Sequence, residues 1–167
     1  MKQVCIGVFE TNSSSTRSIC ISAVRNDPLQ YPSHIIFKCG EFGWREARLD
    51  TPEEKASYLY SSMICLFDRD ELESSKVKIL DHLAKEGITC EFEQPIYEYG
   101  GLICTADIDH AGADDHQTFI RKTIRHQKRL LRYLFSEKSF VLTGNDNDDT
   151  AVNISADYPH EEYYKGN

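Results

Sequence analysis

The chain has 167 residues, of which 40% are hydrophobic and 28% charged, and its formal net charge is −8 at pH 7. A chain of this length can bury about two thirds of its unfolded surface, so we expect one domain that folds unaided. Its longest apolar run is far below the roughly 18 residues of a membrane span, and its N-terminal apolar stretch is too short for a signal peptide. We therefore expect a cytoplasmic protein without a membrane anchor.

The first part of the chain alternates short apolar runs with polar connections. Residues 2–9, 18–24 and 34–38 have the β-branched enrichment and short length of strands. Between the first two strands lies the opening loop, residues 10–18, which contains no apolar side chain. A polar loop that is held between two core strands is a frequent location for recognition or chemistry.

Two helices are predicted in the next part of the chain. A hydroxyl cap at Thr51, a proline at the first helical position and acids in the first turn predict a helix over residues 51–68. A second helix is predicted over residues 71–85, and Gly87 is expected to end it. The apolar stripe of this second helix would consist of Val77, Leu80 and Ala84.

The longest predicted helix covers residues 114–135, with Asp114 or Asp115 as its cap. Its apolar stripe would consist of Ile120, Ile124, Leu131 and Leu134. Further short strands are predicted at residues 88–92, 101–105, 139–143 and 151–155, with a turn over 144–150.

These elements predict a single compact α+β domain over residues 1–156, in which a mixed or antiparallel sheet packs with about three helices. The polar, tyrosine-bearing segment 157–167 is expected to form a loosely ordered C-terminal tail.

The opening loop is the first candidate site. Small hydroxyl and amide side chains, together with backbone N–H groups, can surround a phosphate or a carboxylate. The alternative is an ordinary hairpin turn, in which asparagine and serine are common. The candidate binding residues in this loop are Asn12, Ser13, Ser14 and Ser15.

Two acidic segments are the second candidate site. Asp115 and His116 stand at the start of the third helix, and Asp146 and Asp148 lie in the last predicted turn. Carboxylate and imidazole groups are the ligands of divalent metal ions, although no cofactor is required by any motif in the chain. The alternative is that these residues only cap a helix and form a turn. A metal site would require the two segments to lie together, because neither supplies a full set of ligands.

A basic ridge on the third helix is the third candidate site. Six basic residues and no acid occupy residues 121–132, which leaves 13 of the 19 Lys and Arg residues against 27 Asp and Glu in the rest of the chain. On one continuous helix they would share roughly 120° of the circumference. Such a ridge would bind nucleic-acid phosphates or an acidic protein, unless it is merely a solvated helix face. The ridge consists of Arg121, Lys122, Arg125, Lys128, Arg129 and Arg132.

Three short blocks of the sequence form a pattern. Residues 9–15 read Phe-Glu-Thr-Asn-Ser-Ser-Ser, with Ser18 after them, the second block is residues 115–117, and the third is residues 134–136 followed by 140–148. Together these blocks resemble a family of small bacteriophage and mobile-element proteins. Members of that family often have histidine where this chain has Arg17. The resemblance implies a phage accessory protein, and it favours a role for the opening loop beyond that of a turn.

Three functions are consistent with these features. The first is inhibition of a host defence system, similar to the action of anti-CRISPR proteins, by stoichiometric binding to an effector protein or nucleoprotein. The second is a metal-dependent hydrolase or nucleotide-processing protein, in which the opening loop binds phosphate. The third is direct binding of nucleic acid through the basic ridge, which the acidic remainder of the chain would oppose. We expect the first, which makes an enzymatic activity the less favoured alternative.

Overall fold

The computed structural model describes residues 15–23, 27–44, 47–96, 106–108, 114–145 and 162–166. These residues form an α+β fold with small antiparallel and parallel sheets, as the sequence predicts. The helices within the described residues are α1 (Pro52–Leu66), α2 (Arg69–Ala84), α3 (Asp114–Arg125) and α4 (Gln127–Phe135). The strands are β1 (Ser15–Ile21), β2 (His34–Phe37), β3 (Glu41–Phe42), β4 (Ala47–Leu49), β5 (Thr89–Phe92), β6 (Asp107–Ile108), β7 (Phe140–Asn145) and β8 (Glu162–Gly166).

Strand β1 lies inside the largest sheet, whose order is β4-β7-β1-β8 and whose neighbours are all antiparallel. Ile19 and Cys20 of β1 are completely buried. The strand begins at Ser15, three residues before the predicted start, because its polar first residues gain ladder hydrogen bonds to β7. The last part of the opening loop is therefore strand.

Strand β8 corrects the prediction for the end of the chain. Residues 157–167 were expected to form a loose tail, but Glu162–Gly166 pairs with β1 from Arg17 to Ile21. The open edge of β1 supplies hydrogen-bond partners that compensate for the polar composition of this segment. The domain boundary at residue 156 stays a prediction, since residues 146–161 lie outside the described part of the chain.

Two smaller sheets, each of two strands, are formed by the middle part of the chain. β2 pairs with β5 and β3 pairs with β6, both in parallel. Ile35 and Phe37 of β2 are buried against α1, and Phe37 stacks on Phe92 of β5 with ring centroids 4.8 Å apart. The strand predicted at residues 34–38 is thus confirmed.

Helix α1 confirms the first predicted helix and forms the centre of the core. The Thr51 hydroxyl accepts a hydrogen bond from the Glu54 N–H, and the Glu54 carboxylate accepts one from the Thr51 N–H, which completes a capping box. These hydrogen bonds hold the pKa of Glu54 below its usual value. Tyr58, Leu59 and Met63 are completely buried in this helix.

Helix α2 confirms the second predicted helix, although it begins two residues earlier and faces the core with a different stripe. The predicted stripe is wrong, because Val77 is 58% exposed and Leu80 is 42% exposed, whereas Ile79 and Leu83 are completely buried. Both sets have helical spacing, so the sequence offers two candidate faces. The packing of α2 against β5 and α3 buries Ile79 and Leu83.

The third predicted helix is two helices, α3 and α4, separated at His126. His126 has an extended backbone, with φ −112° and ψ 110°. On a straight helix, Tyr133 would lie about 140° away from Ile120, outside the predicted apolar stripe. The break rotates α4 so that Tyr133 is buried with Leu130, Leu131, Leu134 and Phe135.

Some predicted elements lie outside the described residues. They are the strands at 2–9, 101–105 and 151–155 and most of the turn at 144–150. Within the part of the chain that the structure describes, no helix combines the length and the apolar character needed to cross a membrane.

The end of α2 depends on the left-handed backbone conformation of Gly87, which a substitution can test. Gly87 has φ 74°, its N–H donates to the Ala84 carbonyl, and the Ile88 N–H donates to the Leu83 carbonyl, which is a Schellman pattern. A Cβ added at Gly87 would meet no atom within 4 Å, so a substitution there changes backbone preference alone. We expect Gly87→Ala to lower the free energy of unfolding by about 1 kcal/mol, measured by urea denaturation. Lys85→Ala, two residues earlier and exposed, is the control and should change it much less.

Candidate functional site

The opening loop and the last acidic turn join the sheet at the same end. Ser15 is paired with Asn145, and Thr16 is paired with Gly144, in the antiparallel pair of β1 and β7. The chain enters β1 and leaves β7 at this point. The structure therefore brings together Ser15 and Asn145, the described ends of two of the three segments that the sequence marks. Asn12, Ser13, Ser14, Asp146 and Asp148 lie outside the described residues.

The two candidate metal ligands on α3 have different environments. His116 is completely buried, and its Nε2 lies 3.3 Å from the Tyr58 hydroxyl. Asp115 is exposed. Neighbouring helical residues point about 100° apart, so one residue of the pair faces the core while the other faces water. Among the residues that the structure describes, no group of three His, Cys, Asp or Glu side chains is placed to hold a metal ion. The set that includes Asp146 and Asp148 stays a prediction.

The basic ridge is not a single surface. Because the helix breaks at His126, Arg129 turns inward and is only 9% exposed. Its Nε donates to the Thr123 hydroxyl at 3.1 Å, and its guanidinium lies 4.5 Å from the centroid of the Phe119 ring. The prediction that six basic side chains share one face is therefore wrong in its geometry.

The other basic residues divide into fixed and exposed ones. Arg121 makes a bidentate contact with Glu71, with distances of 2.6 Å and 2.8 Å, and this contact lowers the pKa of the Glu71 carboxyl. Arg132 is half-buried. Lys122, Arg125 and Lys128 are exposed, so they are the part of the ridge that can meet a partner. Their role in binding stays a prediction.

A buried lysine, which sequence reasoning missed, connects α1 to the turn between α4 and β7. Lys55 is 1% exposed, and its Nζ donates to the carbonyls of Ser136 and Ser139 at 2.9 Å and 3.0 Å. The Tyr133 hydroxyl donates to the Lys55 carbonyl at 2.8 Å. Burial lowers the pKa of the Lys55 ammonium from 10.5 to about 8.

The same turn is tied to the strand β1 and to Asp27. The Ser22 N–H, just after β1, donates to the Ser139 hydroxyl at 3.0 Å. The Ser136 hydroxyl donates to the Asp27 carboxylate. Burial raises the pKa of this carboxyl, but hydrogen bonds from Ser136 and Ser22 outweigh it, so the pKa lies below its usual value. These contacts fix the end of the β1–β7 pair that is opposite Ser15 and Asn145.

The position of Lys55 in the sequence indicates that it lies on the core face of α1. On α1 it precedes Leu59 by four residues and Ser62 by seven, and both of these are completely buried. A lysine at that spacing lies on the core face of the helix. Because Lys55 is almost inaccessible to solvent and donates to two carbonyls at the end of α4, its chemistry here is to hold the turn rather than to act on a substrate.

A comparison of the chain with protein-family models, with curated proteins and with solved structures found no match in any of the three.

The free energy of unfolding should depend on pH through Lys55. Its folded pKa of about 8 lies below the ordinary value of 10.5, so between these values the unfolded chain binds more protons than the folded chain. Stability therefore rises as the pH increases across this interval, by at most about 1.4 kcal/mol per pH unit from this group. Below the interval both states are protonated and above it both are neutral, so the dependence stops.

Lys55→Met isolates this contribution, because it removes the titrating group and keeps a side chain of similar length. We expect the difference in the free energy of unfolding between wild type and Lys55→Met, measured by urea denaturation, to rise from about pH 8 to about pH 10.5. Lys85→Met, at an exposed position, is the matched control and should give a flat difference. A flat difference for Lys55→Met as well would contradict the assignment.

Proposed function

We propose that the protein is a phage or mobile-element accessory protein that inhibits a host defence system by stoichiometric binding to a nucleoprotein effector. The observation that supports this proposal most directly is the separation of charge on the exposed surface. Glu41, Glu53 and Glu54 surround one groove, whereas Arg125 and Lys128 are exposed at the junction of α3 and α4. The chain as a whole has a net charge of −8.

A separated charge distribution suits a partner that itself combines protein and nucleic acid. Carboxylates can occupy basic surfaces that normally bind phosphates, and the exposed basic side chains can contact the phosphates of a guide or target strand. Long-range attraction of this kind accelerates the encounter and weakens as salt increases. The resemblance to phage proteins supplies the biological setting.

The direct test uses purified effector nucleases loaded with their nucleic acid. We expect cleavage of a target to fall linearly as the protein is added and to stop at about one protein per effector, as stoichiometric binding requires. Candidate effectors are first recovered from host lysate by pull-down with the tagged protein. Recovery of no effector at low and at moderate salt, or inhibition that appears only at large excess, would contradict the proposal.

A charge-reversal pair tests the basic part of the surface. We expect Arg125→Glu combined with Lys128→Glu to weaken binding to the effector about tenfold, because each change replaces an attractive contact by a repulsive one. The equilibrium dissociation constant is the measurement. Lys78→Glu on α2 combined with Lys85→Glu at its C-terminal cap gives the same change in net charge and should have little effect. Arg129 is left intact, since its burial would make a change there a test of folding.

The pairing of Ser15 with Asn145 favours a second candidate, a metal-dependent hydrolase or nucleotide-processing protein. The opening loop would bind phosphate next to carboxylates of the last turn, and a divalent ion there would activate water. Calorimetric titration with Mn²⁺, Mg²⁺ and Zn²⁺ is the test. This candidate predicts binding that Asp146→Asn combined with Asp148→Asn abolishes, while Asp70→Asn combined with Asp81→Asn leaves it intact. Absence of binding by the wild-type protein would remove the candidate.

A further inference from the structure

A groove with a volume of about 520 Å³ runs beside β2 and reaches the first turns of α1. It is bordered by three kinds of group: residues of β2 and the connection after it, residues of β3, and side chains of α1. Ile36 contributes exposed apolar surface, since 38% of its surface is accessible. The groove is therefore concave, partly apolar and accessible, as peptide-binding sites are.

One backbone edge of β2 faces away from its partner. The Thr89 and Glu93 N–H groups of the β5 side donate to the carbonyls of Ser33 and Phe37. In a parallel ladder, alternate residues direct their backbone groups to the same neighbouring strand. Ser33 and Phe37 face β5, so the backbone groups of His34 and Ile36 face the opposite side of β2.

This opposite side is a second edge of β2. Within the described residues the sheet contains only β2 and β5, and the groove residues His34, Ile36 and Lys38 belong to this second edge.

The free stretch of this edge has a defined length. At Gly40 the backbone is already engaged, because its N–H donates to the Ser61 hydroxyl and its carbonyl accepts from the Asp107 N–H. The available edge therefore extends from His34 to Lys38. At about 3.3 Å per residue this is room for an extended segment of about five residues.

The charge around the groove selects the partner. Glu41, Glu53 and Glu54 line it, and the positive charge of Lys38 opposes them only in part. Glu54 is held by its hydrogen bonds to the backbone and hydroxyl of Thr51, which leaves Glu41 and Glu53 better placed to pair with an incoming cation. A basic strand is thus favoured over an acidic one.

We propose that this groove binds an extended segment of a partner protein, about five residues long and alternating basic with apolar side chains, which adds as a strand to the free edge of β2. Main-chain hydrogen bonds would provide the pairing, Ile36 would contact the apolar side chains, and Glu41 and Glu53 would bind the basic ones. This site does not depend on a role in defence, because it requires only the groove, the edge and the charges.

The test uses the full-length protein and a blocked six-residue peptide of alternating lysine and valine. Binding of this peptide should slow amide hydrogen exchange at His34 and Ile36, whose N–H groups face the groove, without changing Ile35 and Phe37, which face β5. A glutamate–valine peptide should bind at least about tenfold more weakly. The lysine–valine peptide with methyl groups on all of its backbone nitrogens should not slow exchange, because neither of its edges can form the ladder.

Two results would overturn the proposal. If the amides of His34 and Ile36 already exchange as slowly as those of Ile35 and Phe37 in the free protein, the edge is covered by another part of the chain or by a second copy, and dilution distinguishes these cases. If the unmodified and methylated lysine–valine peptides bind equally, the attraction is general electrostatics and no strand is added.

Neutral variants test the role of the carboxylates. Glu41→Gln combined with Glu53→Gln should weaken binding of the lysine–valine peptide about tenfold, since it removes two ion pairs and keeps the shape of the side chains. The control is Asp70→Asn combined with Asp81→Asn, two exposed carboxylates of α2 that do not line the groove. Equal weakening by both pairs would overturn the proposal, because it would show that only the net charge matters.

Discussion

The buried ammonium of Lys55 is the contact on which the arrangement of α1, α4 and β1 depends. It donates to two carbonyls of the turn that connects α4 to β7, and no salt bridge accompanies these contacts among the described ion pairs. Removing an ammonium from water is costly, and two carbonyls offset the cost only in part, as the lowered pKa shows. The contribution of this lysine is therefore to fix the position of the turn rather than to add net stability. The register of β1 and β7 depends on that turn through the hydrogen bond between Ser22 and Ser139.

The features that could be predicted from the sequence are those that a few neighbouring residues determine. Thr51 and Glu54 form the capping box within one turn of helix, and Gly87 adopts the left-handed backbone that ends α2. The core face of α2, in contrast, could not be predicted from neighbouring residues. Ile79 with Leu83 and Val77 with Leu80 both have helical spacing, so only the packing of α2 against β5 and α3 decides which pair is buried.

The break at His126 shows why helical spacing in the sequence does not reliably predict which side chains share an exposed face. No glycine or proline marks it, and the residues on both sides favour a helix. The break rotates α4, and the Tyr133 hydroxyl donates to the Lys55 carbonyl. The same rotation buries Arg129. The sequence thus shows six basic residues close together in the chain, but it does not show that one of them, Arg129, is buried. For the candidate site, the sequence marked the opening loop and the acidic turn, but only the register of β1 and β7 places Ser15 beside Asn145.

The charged groups of the surface differ in their freedom to bind. Arg121 is already bound to Glu71, and Glu54 already accepts hydrogen bonds in the capping box. Both side chains are therefore less available to a partner. Exposed charges such as Glu53 and Arg125 each contribute at most about 1 kcal/mol to affinity, because water and salt screen them. A small protein that binds through such charges alone would release its partner quickly. Durable binding requires directional contacts in addition, and the edge of β2 that is unpaired among the described residues can provide them, since its hydrogen bonds are formed only by a partner in extended conformation.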